Sequence, residues 1–223
     1  MTDEVSEAPT GGVTEVDAGF VVRWLEAAAV AIDRASGELT ELDSAIGDGD
    51  HGSNMRRGFA AVGETFRGEP PTTPGAALTV AGRRLVSTVG GASGPLYGTL
   101  LRRAGKALGE AERVSGAEFG EALRAGTDAV AQLGGAVRGD KTMLDALYPA
   151  VEVLCSGGAA GLDVAAAHRA AAEGAEATVP LRARKGRASY LGERSEGHRD
   201  PGAVSSALLV GALALAAEGD DDE

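Results

Sequence analysis

Apolar residues recur at three- and four-residue intervals along almost the whole chain, the spacing of helices that bury one face. In VTEVDAGFVVRWLEAAAVAIDRAS, the residues Val16, Phe20, Trp24, Ala27, Ala28 and Ile32 share such a face. The same spacing predicts helices over about 53–67, 75–90, 93–112, 116–136, 142–156, 161–178 and 201–217. Between them lie turn signals: Pro70-Pro71 and Pro74, Gly90-Gly91, Gly134-Gly135, Gly157-Gly158 and Pro180. Ser93-Gly-Pro95 reads as an N-cap with proline in the first turn, and Ser115 as the cap of the next helix. No alternating run bounded by turn residues argues for a strand. The expectation is a single all-α domain of about eight helices over residues 13–217, between acidic, disordered tails at 1–12 and 218–223.

Composition sharpens this picture. Hydrophobic residues make up 43% of the chain but aromatics only 4%, so the core is built from Ala, Leu and Val, which suits closely packed helices. Cys155 is the only cysteine, so no intramolecular disulfide forms, and its apolar setting VEVLCSGG predicts a buried, inert thiol. The N-terminus is acidic and polar, unlike a secretory signal. The most apolar stretch, ALLVGALALAA at 207–217, has 11 residues, too few to span a bilayer. A soluble, cytoplasmic protein with no membrane partner is expected. The formal charge of −12 argues against nucleic acid as a partner. Eight of the acids lie at the two ends, and without them the balance is −4.

Two segments stand outside the helical scheme. RARKGRASYLGERSEGHRDPG (182–202) is a long connection, and such loops inside compact domains are usually functional. Its six cations face three acids, which suits a lid over an anion better than a merely solvated loop. The other segment, ELTELDSAIGDGDHGSNMRRGF, crowds Asp43, Asp48 and Asp50 into eight residues. An EF-hand is excluded, because counting from Asp48 puts Phe59 where the bidentate glutamate belongs. Gly47-x-Gly49-x-x-Gly52 has dinucleotide-fingerprint spacing but no surrounding βαβ unit, and GAVRGDKT fails as a phosphate loop because its lysine does not follow the glycine. Either a hard-cation site or a capping-and-turn cluster remains. Three carboxylates suffice for two Mg²⁺ ions when phosphates supply further ligands. His51 stays open between a structural histidine, a phosphate donor and a nucleotide contact. GGASGPLYG adds small residues and a helix start near Ser93, where backbone N–H groups can meet an anion. Metal loop, glycine-rich helix start and basic loop together imply a magnesium nucleotide.

Four segments, ELDSAIGDGDHGSNMRRGF, VGGASGPLYGT, GDKTMLDAL and KGRASYLGERSEGHRDPGA, resemble in content and order the L subunit of the dihydroxyacetone kinase family, from about residue 39 to 205. That resemblance implies an antiparallel eight-helix barrel with the nucleotide site at one end. It implies Asp43, Asp48 and Asp50 as ligands of two Mg²⁺ ions bridging ADP or ATP phosphates. His51, Ser53 and Asn54 would lie beside the phosphates, and Ala92 and Ser93 would contact them. Gly134 and Met143 would border the adenine, while Arg187, Asp200 and Gly202 close the site. No ketose-binding histidine domain has room in this chain, so a separate K subunit is the implied partner. His168 reads as a surface residue, and His198 as either a site contact or exposed. Three readings follow: phosphoryl transfer through retained ADP recharged by a phosphocarrier of the phosphoenolpyruvate system, an ATP-exchanging triose or tetrulose kinase subunit, or a non-enzymatic nucleotide-sensing module. The first is the reading adopted, because three carboxylates and a basic loop favour tight holding. Self-association as a homodimer stays open.

Overall fold

The computed structural model describes residues 12–218, so the expected acidic tails lie outside the described residues except for Gly12 and Glu218. Nine α-helices follow in order: α1 (Ala18–Arg34), α2 (Ser36–Ile46), α3 (His51–Gly68), α4 (Pro74–Thr88), α5 (Ser93–Leu108), α6 (Gly116–Gly134), α7 (Leu144–Ser156), α8 (Val164–Glu176) and α9 (Pro201–Glu218). Eight of them close a ring in which α1 neighbours α3, then α4 to α9 follow in sequence and α9 returns to α1. The ninth, α2, packs outside that ring on α3 and α9. Its residues, just ahead of Gly47, look helical in sequence, but the apolar spacing does not mark it among the predicted helices.

Local signals explain the helix starts. Asp17 caps α1, its Oδ1 accepting the Phe20 N–H at 2.8 Å. Thr73 caps α4 with proline at the first position, and Ser115 with Glu118 forms a capping box on α6. Val16 belongs not to α1 but to a two-stranded antiparallel sheet, β1 (Glu15–Asp17) with β2 (Arg113–Ser115), in which it faces Val114. The expectation of no strands is therefore corrected. Three-residue strands are too short to leave an alternating pattern.

The scarcity of aromatics concentrates them. Trp24 stacks edge-on to Phe119 with centroids 5.7 Å apart, and its Nε1 donates to the Leu209 carbonyl at 2.8 Å. The indole thus ties α1 to both α6 and α9. Elsewhere small residues do the packing. A Cβ on Gly82 would come within 2.7 Å of the Gly98 carbonyl oxygen, so α4 and α5 touch backbone to backbone. Helix α9 is apolar on all sides and, at 18 residues, long and apolar enough by length and composition to cross a membrane. The sequence-based span of 11 residues was too short. In this fold 61% of that helix is buried, against α1, α7 and α8, as expected of a core helix.

Candidate functional site

The acidic segment is organised around one carboxylate. Asp43 sits in the last turn of α2 and is buried, and its Oδ2 accepts the N–H groups of Asp50 at 2.9 Å and His51 at 3.1 Å. This single side chain joins the end of α2 to the start of α3. The glycines make the path possible: a Cβ on Gly47 would lie 2.1 Å from Asp43 Oδ1, and Gly49 has φ +73°. The result gathers one carboxylate oxygen each from Asp43, Asp48 and Asp50 within 4.8 Å of one another. At that spacing each pair of charges repels by about 3 kcal/mol at an effective dielectric constant of about 20. Acceptor-only hard oxygens, held together against repulsion, fit magnesium and not a thiolate- or imidazole-seeking metal.

Beside this cluster, α5 opens at Ser93 after Gly90, Gly91 and Ala92, with no side-chain cap on its first N–H groups. An uncapped helix start directs both free donors and positive dipole into the pocket. His51 bridges this face to α9. Its Nδ1 lies 3.1 Å from Ser93 Oγ and its Nε2 lies 2.8 Å from Ser205 Oγ. Burial lowers its pKa, opposed by Asp43 and Asp50, which keeps the ring neutral at neutral pH. Ser205 Oγ also lies 2.9 Å from the Pro201 carbonyl, and the His51 tautomer with its proton on Nε2 lets Ser205 donate there while Ser93 donates to Nδ1. Buried Tyr97 completes the network, its hydroxyl lying 2.7 Å from Ser205 Oγ and 2.8 Å from Ser206 Oγ. Burial raises the Tyr97 pKa.

Opposite the acids the wall turns apolar. Val130, Leu133 and Gly134 at the end of α6 face Ala136, Met143 and Leu144 leading into α7, enclosing with the acids a pocket of about 570 Å³. The long 182–202 segment closes the remaining side. It is not structureless, as its length suggested: residues Arg187–Ser195 form a 3-10 helix kinked at Gly192, and α9 starts at Pro201. Arg187 reaches Asp48 at 3.1 Å. Asp200 Oδ2 accepts the Ala203 N–H at 2.7 Å, capping α9, and burial pushes its carboxyl up to about 7.

Of the residues expected in the site, Asp43, Asp48, Asp50, His51, Ala92, Ser93, Gly134, Met143, Arg187, Asp200 and Gly202 all line this pocket. Ser53 and Asn54 stand behind it. Ser53 is exposed and donates to the Asp50 carbonyl, while buried Asn54 accepts from Arg57 at 2.6 Å. The rings of His168 and His198 are exposed. Cys155 is half-buried, not buried, and burial pushes its thiol up to about 11, which fits the expected inertness. Sequence reasoning missed Tyr97, Ser205 and Lys141. Lys141 lies in GDKT, has φ +63° and is buried. No spacing rule marks such residues, because their partners are distant in sequence.

The fold is all-helical, and the site brings three carboxylates, an uncapped helix start and a basic loop to one pocket. The chain belongs to the DAK2 domain family, whose model matches residues 45–215. It is 44% identical over 202 residues to the PEP-dependent dihydroxyacetone kinase, ADP-binding subunit DhaL, of Escherichia coli K12, covering 89% of this chain and 96% of that protein. It is 40% identical over 180 residues to the L-erythrulose 1-kinase of Mycolicibacterium smegmatis, covering 79% of this chain and 32% of that one. The fold is similar to the dihydroxyacetone kinase from C. freundii in complex with AMP-PNP and Mg²⁺, with TM-score 0.71 and 26% identity over 96% of this chain and 37% of that one.

Proposed function

We propose that this chain is the ADP-binding subunit of a dihydroxyacetone kinase complex. It takes a phosphoryl group from a phosphocarrier of the phosphoenolpyruvate system, through bound adenine nucleotide, and delivers it to dihydroxyacetone or a related ketose on a separate K subunit. The observation that carries this reading is the three-carboxylate cluster opening directly into an apolar-walled pocket of nucleotide size. End-to-end similarity to a stand-alone ADP-binding subunit supports the division of labour. The work of such a subunit is cytoplasmic and needs neither membrane nor nucleic acid.

Asp43, Asp48 and Asp50 would hold two Mg²⁺ ions, which supply charge neutralisation to the transferring group. The N–H groups at the start of α5 and the Ser93 hydroxyl would take phosphate oxygens. His51 would hold Ser93 in place, and Ser53 and Asn54 would act through the first turn of α3. Gly134 and Met143 would receive the base, with Asp200 and Gly202 closing its other side. Arg187, already aimed at Asp48, would turn onto the phosphates. No side chain in this arrangement serves as a covalent nucleophile, so transfer rests on positioning and charge.

Purifying the protein without added nucleotide, denaturing it and chromatographing the supernatant tests the reading. Near-stoichiometric ADP that survives gel filtration is expected. An empty protein that phosphorylates ketose with ATP and a K subunit alone would replace the donor. The similarity to an erythrulose kinase favours that second reading.

A further inference from the structure

Lys141 is the most unusual residue of the pocket wall. It holds a left-handed backbone at φ +63°, which costs a residue with a β-carbon, and its side chain is almost wholly buried. Among the described residues no acid stands within ion-pair distance of its ammonium, although Asp200, Asp145 and Glu196 lie near enough to favour its charge. It donates instead to two carbonyls, that of Thr178 at 2.6 Å and that of His198. Thr178 ends the α8 connection, and His198 lies on the descending limb of the basic loop. The preceding residue holds the other limb, because the Asp140 carbonyl accepts the Arg184 N–H at 3.1 Å. Asp140 and Lys141 thus grip both ends of the loop that carries Arg187.

This grip is itself braced. Asp140 Oδ2 accepts the Val137 N–H at 3.0 Å, and Asp145 accepts the N–H groups of Gly139 and Thr142. The turn from 137 to 145 is therefore rigid, and it leads directly into Thr142 and Met143 on the pocket wall. Beyond these ties the loop is held by solvent-exposed ion pairs, Arg199 with Glu38 at 2.8 Å and Arg187 with Asp48 at 3.1 Å, and by its 3-10 helix lying on α2. Among residues 182–199 only Ala183 and Ser195 are buried. Two further bonds fasten the descending limb, Gly197 N–H to the Val179 carbonyl at 2.8 Å and Asp200 N–H to Thr178 Oγ1 at 2.9 Å. Both start from the segment that Lys141 anchors.

We propose that Lys141 is a positioning residue that, with the Asp140 carbonyl, fastens both limbs of the 182–200 loop to the base side of the pocket and so sets how long a nucleotide stays bound. The inference rests on the nucleotide reading above. It deepens that reading, because it assigns retention to an anchor outside the carboxylate cluster.

The test compares wild type with Lys141→Met, which keeps the volume and removes the donor. Stopped-flow release of a fluorescent ADP analogue with Mg²⁺ should quicken about ten- to a hundredfold, the loss expected for a hydrogen bond to a charged group. The association rate should change far less. Trypsin should also cut the variant faster at Arg182–Arg194 in the absence of nucleotide. An unchanged release rate overturns the proposal, as does a parallel change in both rates, which would mark general loosening. A wild type that binds no nucleotide sinks the functional reading instead, and the trypsin comparison then decides the anchor by itself: equal cleavage overturns it. If the variant does not fold, hydrogen exchange on wild type replaces it. The amides of Arg184, Gly197 and Asp200 should gain protection together on adding Mg–ADP, and independent or absent gains overturn the proposal.

Discussion

Two loops meet at the rim of the pocket, one acidic and one basic, and they are built on opposite plans. The acidic loop supports itself: Asp43 takes two backbone N–H groups from residues seven and eight positions later. Its geometry is complete within one short stretch of chain. The basic loop borrows its support from Asp140, Lys141, Thr178 and Val179, all outside it. The first plan gives a preorganised cation site, and the second a cover whose closure can be adjusted from elsewhere. Substitutions in the acidic loop should therefore abolish binding, while those in the basic loop should tune it.

The largest effect is expected from Asp43→Ala. It removes a metal ligand and also the acceptor that holds Asp50 and His51 in place. Losing a charged hydrogen-bonding group alone costs about 1.5–3 kcal/mol. With the ligand lost as well, Mg–ADP affinity by calorimetry should fall more than about a hundredfold, the range typical for disturbed metal sites and beyond. Asp48→Ala and Asp50→Ala should weaken binding strongly but less, with the protein still folded. Unchanged binding in all three variants would remove the site assignment.

The same contrast explains what could be read from the sequence. Asp43, Asp48 and Asp50 were legible because their chemistry and their support are both local. The ring helices were legible because each buries a face at helical spacing. Helix α2 looks helical in sequence but carries too faint an apolar stripe to be counted, since only Leu39, Asp43 and Ile46 point inward. Lys141 was invisible as an anchor because its partners lie 37 and 57 residues away. Ser205 reads as an ordinary residue in an apolar helix until His51 is placed against it. Long-range partnership is what spacing rules cannot carry.

Between the two loops runs the Tyr97 network, which joins His51 to the start of α9. Tyr97→Phe keeps the ring but takes from the buried Ser206 hydroxyl its partner at 2.8 Å, and from Ser205 Oγ and the Gly202 carbonyl one of several. A cost of about 1–3 kcal/mol is expected for buried groups left without a partner. Denaturant melts followed by the single tryptophan, Trp24, would read it. If stability is unchanged while Mg–ADP affinity drops, the network serves the site alone.

A separate effect should appear in the pH dependence of stability. Burial lifts the Asp200 carboxyl to about 7 in the folded protein, against about 3.9 in an unfolded chain. The folded state then binds this proton more tightly than the unfolded state does. Its contribution is therefore full below about pH 4 and is lost as pH rises towards 7. Asp200→Asn should remove that decline, so the difference between variant and wild type should grow from pH 4 to 7 and then level off. A constant difference across that window would mean that Asp200 is ionised throughout.

The smallest effect belongs to Arg187→Ala, and it probes the comparison most directly. Arg187 lies 3.1 Å from Asp48, but the two side chains are 67% and 38% exposed. An ion pair so open to water contributes about 0–1 kcal/mol, so the melting temperature should barely move. Its larger value should appear on binding, where the planar guanidinium can meet phosphate oxygens in pairs. Even there the site remains open, and Arg184 and Lys185 stand close in sequence. A loss of about three- to tenfold in Mg–ADP affinity is expected, the worth of roughly 1 kcal/mol. Raising salt should narrow the gap between variant and wild type, because exposed charges are screened. Arg187→Lys should recover only part of it, since an ammonium lacks the forked geometry. A loss as deep as that of Asp43→Ala would show that the basic loop is not a tunable cover. It would then be as preorganised as the acidic loop, and the contrast between the two would fail.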